Sequence, residues 1–85
     1  MSLQKFRKDI EKINSQILRI LAKRNNISKK VGKYKKKYGM KIVDKNKEKN
    51  IYEDINQKAE KLGLNPRFAK DVFKIVIKES KRLQK

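Results

Sequence analysis

Residues 3–38 read LQKFRKDIEKINSQILRILAKRNNISKKVGKYKKKY. Apolar side chains stand at Leu3, Phe6, Ile10, Ile13, Ile17, Ile20, Ile27, Val31, Tyr34 and Tyr38. The steps are three and four, with a single step of seven between Ile20 and Ile27, which is a heptad-like helical seam and not the alternation of a strand. The spacing predicts one uninterrupted helix, ~50 Å long at 1.5 Å per residue. Gly32 costs such a helix about 1 kcal/mol relative to alanine without breaking it. Gly39 is suited to the left-handed position that ends it.

The rest of the chain follows from this helix. A loop over residues 40–43 leads to Asp44, an N-cap residue, and a second helix with Ile51, Tyr52, Ile55, Ala59 and Leu62 as its stripe. Gly63 closes it. Asn65-Pro66 is a cap followed by proline at the first helical position, and Phe68, Val72, Phe73, Val76, Ile77 and Leu83 mark a third helix. The expected fold is all-α, a single domain over residues 1–85 with one long helix and two shorter ones. Two short helices cover a long apolar seam poorly, so the long helix is expected to dimerise with a second copy.

Composition points the same way. The 85 residues include 26 Lys and Arg against 9 Asp and Glu, a net charge of +17. A monomer of this size buries only ~60–65% of its unfolded surface, and self-repulsion weakens it further. There is no Cys and no His, which excludes disulfides, thiolate metal sites and a histidine general base. Lys outnumbers Arg 21 to 5, and Lys, Ile, Asn and Tyr supply 41 residues, so AT-rich coding accounts for part of the lysine excess on a solvated surface. The competing reading of the charge is a Lys-rich nucleic-acid binder, with six basic residues in 29–37 and Tyr34 alone among them as a stacking platform. No apolar run is long enough for a signal peptide or a membrane span, and the expected location is cytoplasmic.

The polar residues that interrupt the seams carry the functional signal. Arg24 occupies the missing step between Ile20 and Ile27, and Lys35 lies eleven residues on, ~20° off the same face. The seam of the second helix extrapolates back to Glu48. In the third, Ser80 shares a stripe with Phe73, Val76 and Leu83, and Gln84 follows one turn later. A lone seam arginine is commonly a snorkelling or register-setting residue. Five such groups on three helices share one further explanation, a polar pocket. Two cations, two neutral donors and one carboxylate suit a small dianion. With no His to activate Ser80 and no Gly-rich phosphate loop, what remains is a site that binds, orients and stabilises developing charge.

The sequence resembles the all-helical class of chorismate mutases over nearly its whole length. The resemblance is carried by residues 3–10 with Ile13-Asn14, by Leu21-Ala22-Lys23-Arg24, by residues 27–35, by Asp44-Lys45-Asn46-Lys47-Glu48 and by Glu79-Ser80-Lys81-Arg82-Leu83-Gln84. It implies an intertwined homodimer with two active sites and the Claisen rearrangement of chorismate to prephenate on the route to Phe and Tyr, with no cofactor and no metal. It also implies that Arg24 binds a substrate carboxylate. By the same resemblance Lys35 and Gln84 donate to the ether oxygen of the breaking bond, Glu48 accepts from the ring hydroxyl, Asp44 borders that end and Ser80 sits by the ring carboxylate. Arg7 matches an arginine that the family contributes from the opposite subunit. Helix geometry agrees independently, since Arg7 and Arg24 are ~25 Å and ~100° apart on one straight helix and cannot serve one small ligand from the same chain. Lys47 stands where the family usually has arginine, which keeps the charge and loses the bidentate fork. Asn14 stands where aspartate is common. The same resemblance admits an isochorismate pyruvate-lyase on this fold. Chorismate is the expected partner besides the second copy, with neither nucleic acid nor membrane.

Overall fold

The computed structural model describes residues 2–85 and contains three helices: α1 (Leu3–Lys37), α2 (Lys45–Lys61) and α3 (Pro66–Gln84). No strand occurs among the described residues. Each start is capped by the expected chemistry. Ser2 accepts from the Lys5 amide, Asp44 from the amides of Asn46 and Lys47, and Asn65 from those of Arg67 and Phe68, ahead of Pro66.

Both interhelical turns end in the same way. Gly39 has φ 63° and Gly63 has φ 73°, a left-handed conformation that glycine adopts without a Cβ penalty. Beyond them the Met40 amide returns to the Lys35 carbonyl at 2.7 Å and the Leu64 amide to the Ala59 carbonyl at 2.9 Å, which closes each helix end.

Helix α3 packs against both α1 and α2, which make no close contact with each other. The contacts depend on small residues. On α1 the buried residues are Ser28 and Gly32, on α2 Ala59, and on α3 Ala69, Ile77 and Ser80. At Gly32 a Cβ would lie 2.6 Å from the Gln84 Cα and 2.7 Å from its carbonyl oxygen. The glycine therefore lets the end of α3 lie directly on α1. Its propensity cost, foreseen from the sequence, has a packing reason that was not.

The core of one chain is thin. Among the described residues only Ala59, Ala69 and Ile77 are buried apolar residues, and no large side chain is fully enclosed. The first half of α1 projects alone, and every residue from 3 to 20 is exposed. Its seam residues Phe6, Ile10, Ile13 and Ile17 all lie open, in a molecule 57 Å long. No described helix is long and apolar enough to cross a membrane.

Candidate active site

The polar interruptions of the seams meet at one place. A cavity of about 140 Å³ is lined by Arg24 and Lys35 from α1, by Asp44, Lys47 and Glu48 from the start of α2, and by Ser80 and Gln84 from the end of α3. All seven residues that the sequence reading assigned to a single chain are among its walls. Arg7 is not; it lies on the projecting half of α1. Ile42, Ile51 and Ile77 add apolar surface. With Lys81, four cations face two carboxylates, a local excess that favours an anionic ligand.

Several of these polar groups are held by specific partners. The Arg24 guanidinium donates through Nη1 to Ser80 Oγ. Ser28 Oγ donates to the same oxygen at 3.1 Å, and Ser80 donates its own proton to the Val76 carbonyl at 3.1 Å. The Ser80 hydroxyl is thereby fully engaged, one donor and two acceptor positions, and in this state it fixes Arg24. The guanidinium makes no other hydrogen bond among the described residues. Its remaining N–H groups can fork onto a carboxylate.

Lys35 links the loop to the end of α3. Its Nζ donates to the Ile42 carbonyl at 3.0 Å and to Gln84 Oε1 at 2.9 Å. An ammonium can only donate, so the amide must turn its carbonyl toward Lys35 and its NH₂ away. A third Lys35 N–H stays available. The pair thus offers donors from two directions, an arrangement suited to an oxygen that gains negative charge.

At the other end, Asp44 Oδ1 is committed to the cap of α2, accepting from the amides of Asn46 and Lys47 at 3.1 and 3.2 Å. Glu48, one turn later, is half-buried, and its Oε1 is cut off from solvent without a hydrogen bond. What faces that oxygen is the Lys81 ammonium, in an ion-pair contact.

Ser28, Lys81 and the three isoleucines were not singled out as site residues from the sequence. Ser28 could have been, since Arg24, Ser28 and Gly32 follow at steps of four along one face of α1. Lys81 had a signal as well: Ile77, Ser80, Lys81 and Gln84 stand at i, i+3, i+4 and i+7.

Beside this site lies a larger, mainly apolar cavity of about 720 Å³, with Leu21, Val43, Ile75 and Val76 in its walls. Glu79 and Arg82 also line it, paired through two contacts of 2.5 and 3.1 Å. The hydrogen bond from Arg82 holds the Glu79 carboxyl below its usual range.

A family model described as chorismate mutase type II matches residues 6–85. A chorismate mutase of Methanocaldococcus jannaschii is 34% identical over 83 residues, covering 98% of this chain and 84% of the relative. A T-protein of Enterobacter agglomerans is 32% identical over 78 residues, 92% of this chain and 21% of that protein. A bifunctional chorismate mutase/prephenate dehydratase of Buchnera aphidicola subsp. Schizaphis graminum is 31% identical over 83 residues, 98% of this chain and 22% of that protein. The chain therefore spans about a fifth of the two longer relatives and most of the first. A three-helix chain with this cavity, matched by the family model over all but its first five residues, belongs to the chorismate mutase type II family.

Proposed function

We propose that the chain, a single domain acting as a homodimer in the cytoplasm, converts chorismate to prephenate for aromatic amino-acid synthesis, with each active site completed by Arg7 of the partner subunit. The observation that carries this reading is the convergence of Arg24, Lys35, Asp44, Lys47, Glu48, Ser80 and Gln84 on one cavity. Arg24 and the partner's Arg7 hold the two carboxylates, so that the enolpyruvyl chain folds over the ring in a reactive conformer. Lys47 adds a further positive charge nearby without the fork of an arginine. As the ether C–O bond breaks and the new C–C bond forms, negative charge gathers on the ether oxygen. Lys35 and the outward-turned NH₂ of Gln84 supply hydrogen bonds where it gathers. Glu48 accepts from the ring hydroxyl, and Asp44 shapes the same end. The rearrangement is intramolecular, so it needs no nucleophile and no redox partner, and the chain carries neither His nor Cys to provide a conventional one.

Support for the dimer is the uncovered stripe on α1, where Phe6, Ile10, Ile13, Ile17 and Ile20 lie exposed in a row, a contiguous apolar face of the kind that marks an interaction surface. A partner's α1 laid along it buries the stripe and brings the partner's Arg7 toward a site that its own chain cannot reach.

The test is the loss of chorismate absorbance on adding purified protein, run beside isochorismate. Turnover of chorismate to prephenate is expected. Release of pyruvate from isochorismate with chorismate untouched would replace the reading by a lyase, and salt-sensitive binding of duplex DNA without turnover would replace it by a nucleic-acid binder.

A further inference from the structure

Glu48 presents a problem that its own helix does not solve. Its Oε1 is sealed from solvent and takes no hydrogen bond, and a desolvated carboxylate oxygen is costly unless a cation faces it. The candidate cations of the cavity are four. Arg24 is held by Ser80, and Lys35 by the Ile42 carbonyl and Gln84. Lys47 is the residue just before Glu48 on α2, so its side chain leaves the helix ~100° away. Lys81 alone among the described residues makes an ion pair with Glu48. It reaches across from α3, where its neighbour Ser80 is buried and fixed to α1. The base of the Lys81 side chain is therefore anchored, and its ammonium sits at a defined point of the cavity wall. Glu48 Oε2 is not sealed in this way.

We propose that Lys81 is a positioning residue for Glu48: its ammonium pins Oε1, so that Oε2 is turned to accept a hydrogen bond from the hydroxyl of the ligand. The inference rests on the reading of Glu48 as that acceptor. The ion pair does two things at once. It stops the carboxylate from swinging out to water or folding back onto Lys47. It also offsets a negative charge that would otherwise lie close to a dianionic ligand. A free Glu48 in the same cavity would repel that ligand as readily as it would orient it.

The experiment combines kinetics with a structure. Lys81→Met keeps the length of the side chain and removes the charge, Lys81→Arg keeps the charge, and Glu48→Gln removes the partner. With chorismate as substrate, Lys81→Met is expected to lower kcat/KM by about tenfold or more, the order of a lost charge-assisted hydrogen bond. Lys81→Arg should stay within about threefold of the unsubstituted protein, since the ion pair can reform. Adding Lys81→Met to Glu48→Gln should cost nothing further, because a residue that acts through Glu48 has nothing left to position. A loss of equal size in the Glu48→Gln background, or full activity in folded Lys81→Met, would overturn the proposal. A bond that merely ties α2 to α3 would lower the unfolding midpoint and leave that coupling at zero. The structure of Lys81→Met decides independently of turnover: Glu48 displaced from the cavity wall supports the proposal, and Glu48 unmoved overturns it. Failure of the unsubstituted protein to act on chorismate is a separate result, which removes the reading of the cavity and leaves the structural comparison of Glu48 valid.

Discussion

At Gln84 the chemistry of a neighbour decides the orientation of an amide. Lys35 has only donors to offer, so the Gln84 carbonyl faces it at 2.9 Å and the NH₂ is left for a ligand. Gln84→Glu should therefore be active only where the introduced carboxyl is protonated, because a carboxylate accepts and cannot donate. Its activity is expected to rise as pH falls, and equal rates at pH 8 and pH 5 would remove Gln84 as a donor. Arg24→Ala and Lys35→Ala should each cost at least ~3 kcal/mol of transition-state stabilisation, the scale of a lost preorganised donor. Measured as kcat/KM, a loss under about tenfold for either would take that residue out of the site. These positions were legible because a cation in an apolar seam is conspicuous. Ser28 was not, since a small hydroxyl on a charged helix resembles any solvated residue. Only the fold shows it buried and bonded to Ser80 at 3.1 Å.

The helix ends could be read from the sequence because capping is a local matter. Asp44, Asn65-Pro66, Gly39 and Gly63 act within a turn of themselves, and each stands where its chemistry predicts. Gly32 is the opposite case. Its meaning depends on a residue 52 positions away, whose Cα would lie 2.6 Å from any Cβ placed there. Gly32→Ala gains about 1 kcal/mol in helix propensity and loses more through the clash with backbone at Gln84, for which overpacking costs of about 1–3 kcal/mol are typical. Displacement of α3 also carries Gln84 away from Lys35. The substitution should lower the thermal unfolding midpoint and the turnover rate together. A variant that is more stable and equally active would show that α1 and α3 do not approach so closely.

The whole chain carries +17 and leaves the apolar face of α1 without cover. If the surface charge gathers a dianion, kcat/KM should fall as salt is added, through screening over ~10 Å at 0.1 M. A flat response would leave the surplus lysines as solvated surface only. The apolar face leads to the central claim, a site shared between two chains. Along the helix, Arg7 and Arg24 are ~25 Å apart, so one small ligand can meet both only if they come from different copies. Arg7→Ala and Arg24→Ala homodimers should both be nearly inactive. Unfolded, mixed in equal amounts and refolded, they should form mixed dimers in half of all pairings, with one site doubly substituted and the other intact. About a quarter of the unsubstituted activity should then return, by counting over a two-fold dimer. If both variants still dimerise and mixing restores nothing, Arg7 belongs to the surface of its own chain and the shared site is contradicted.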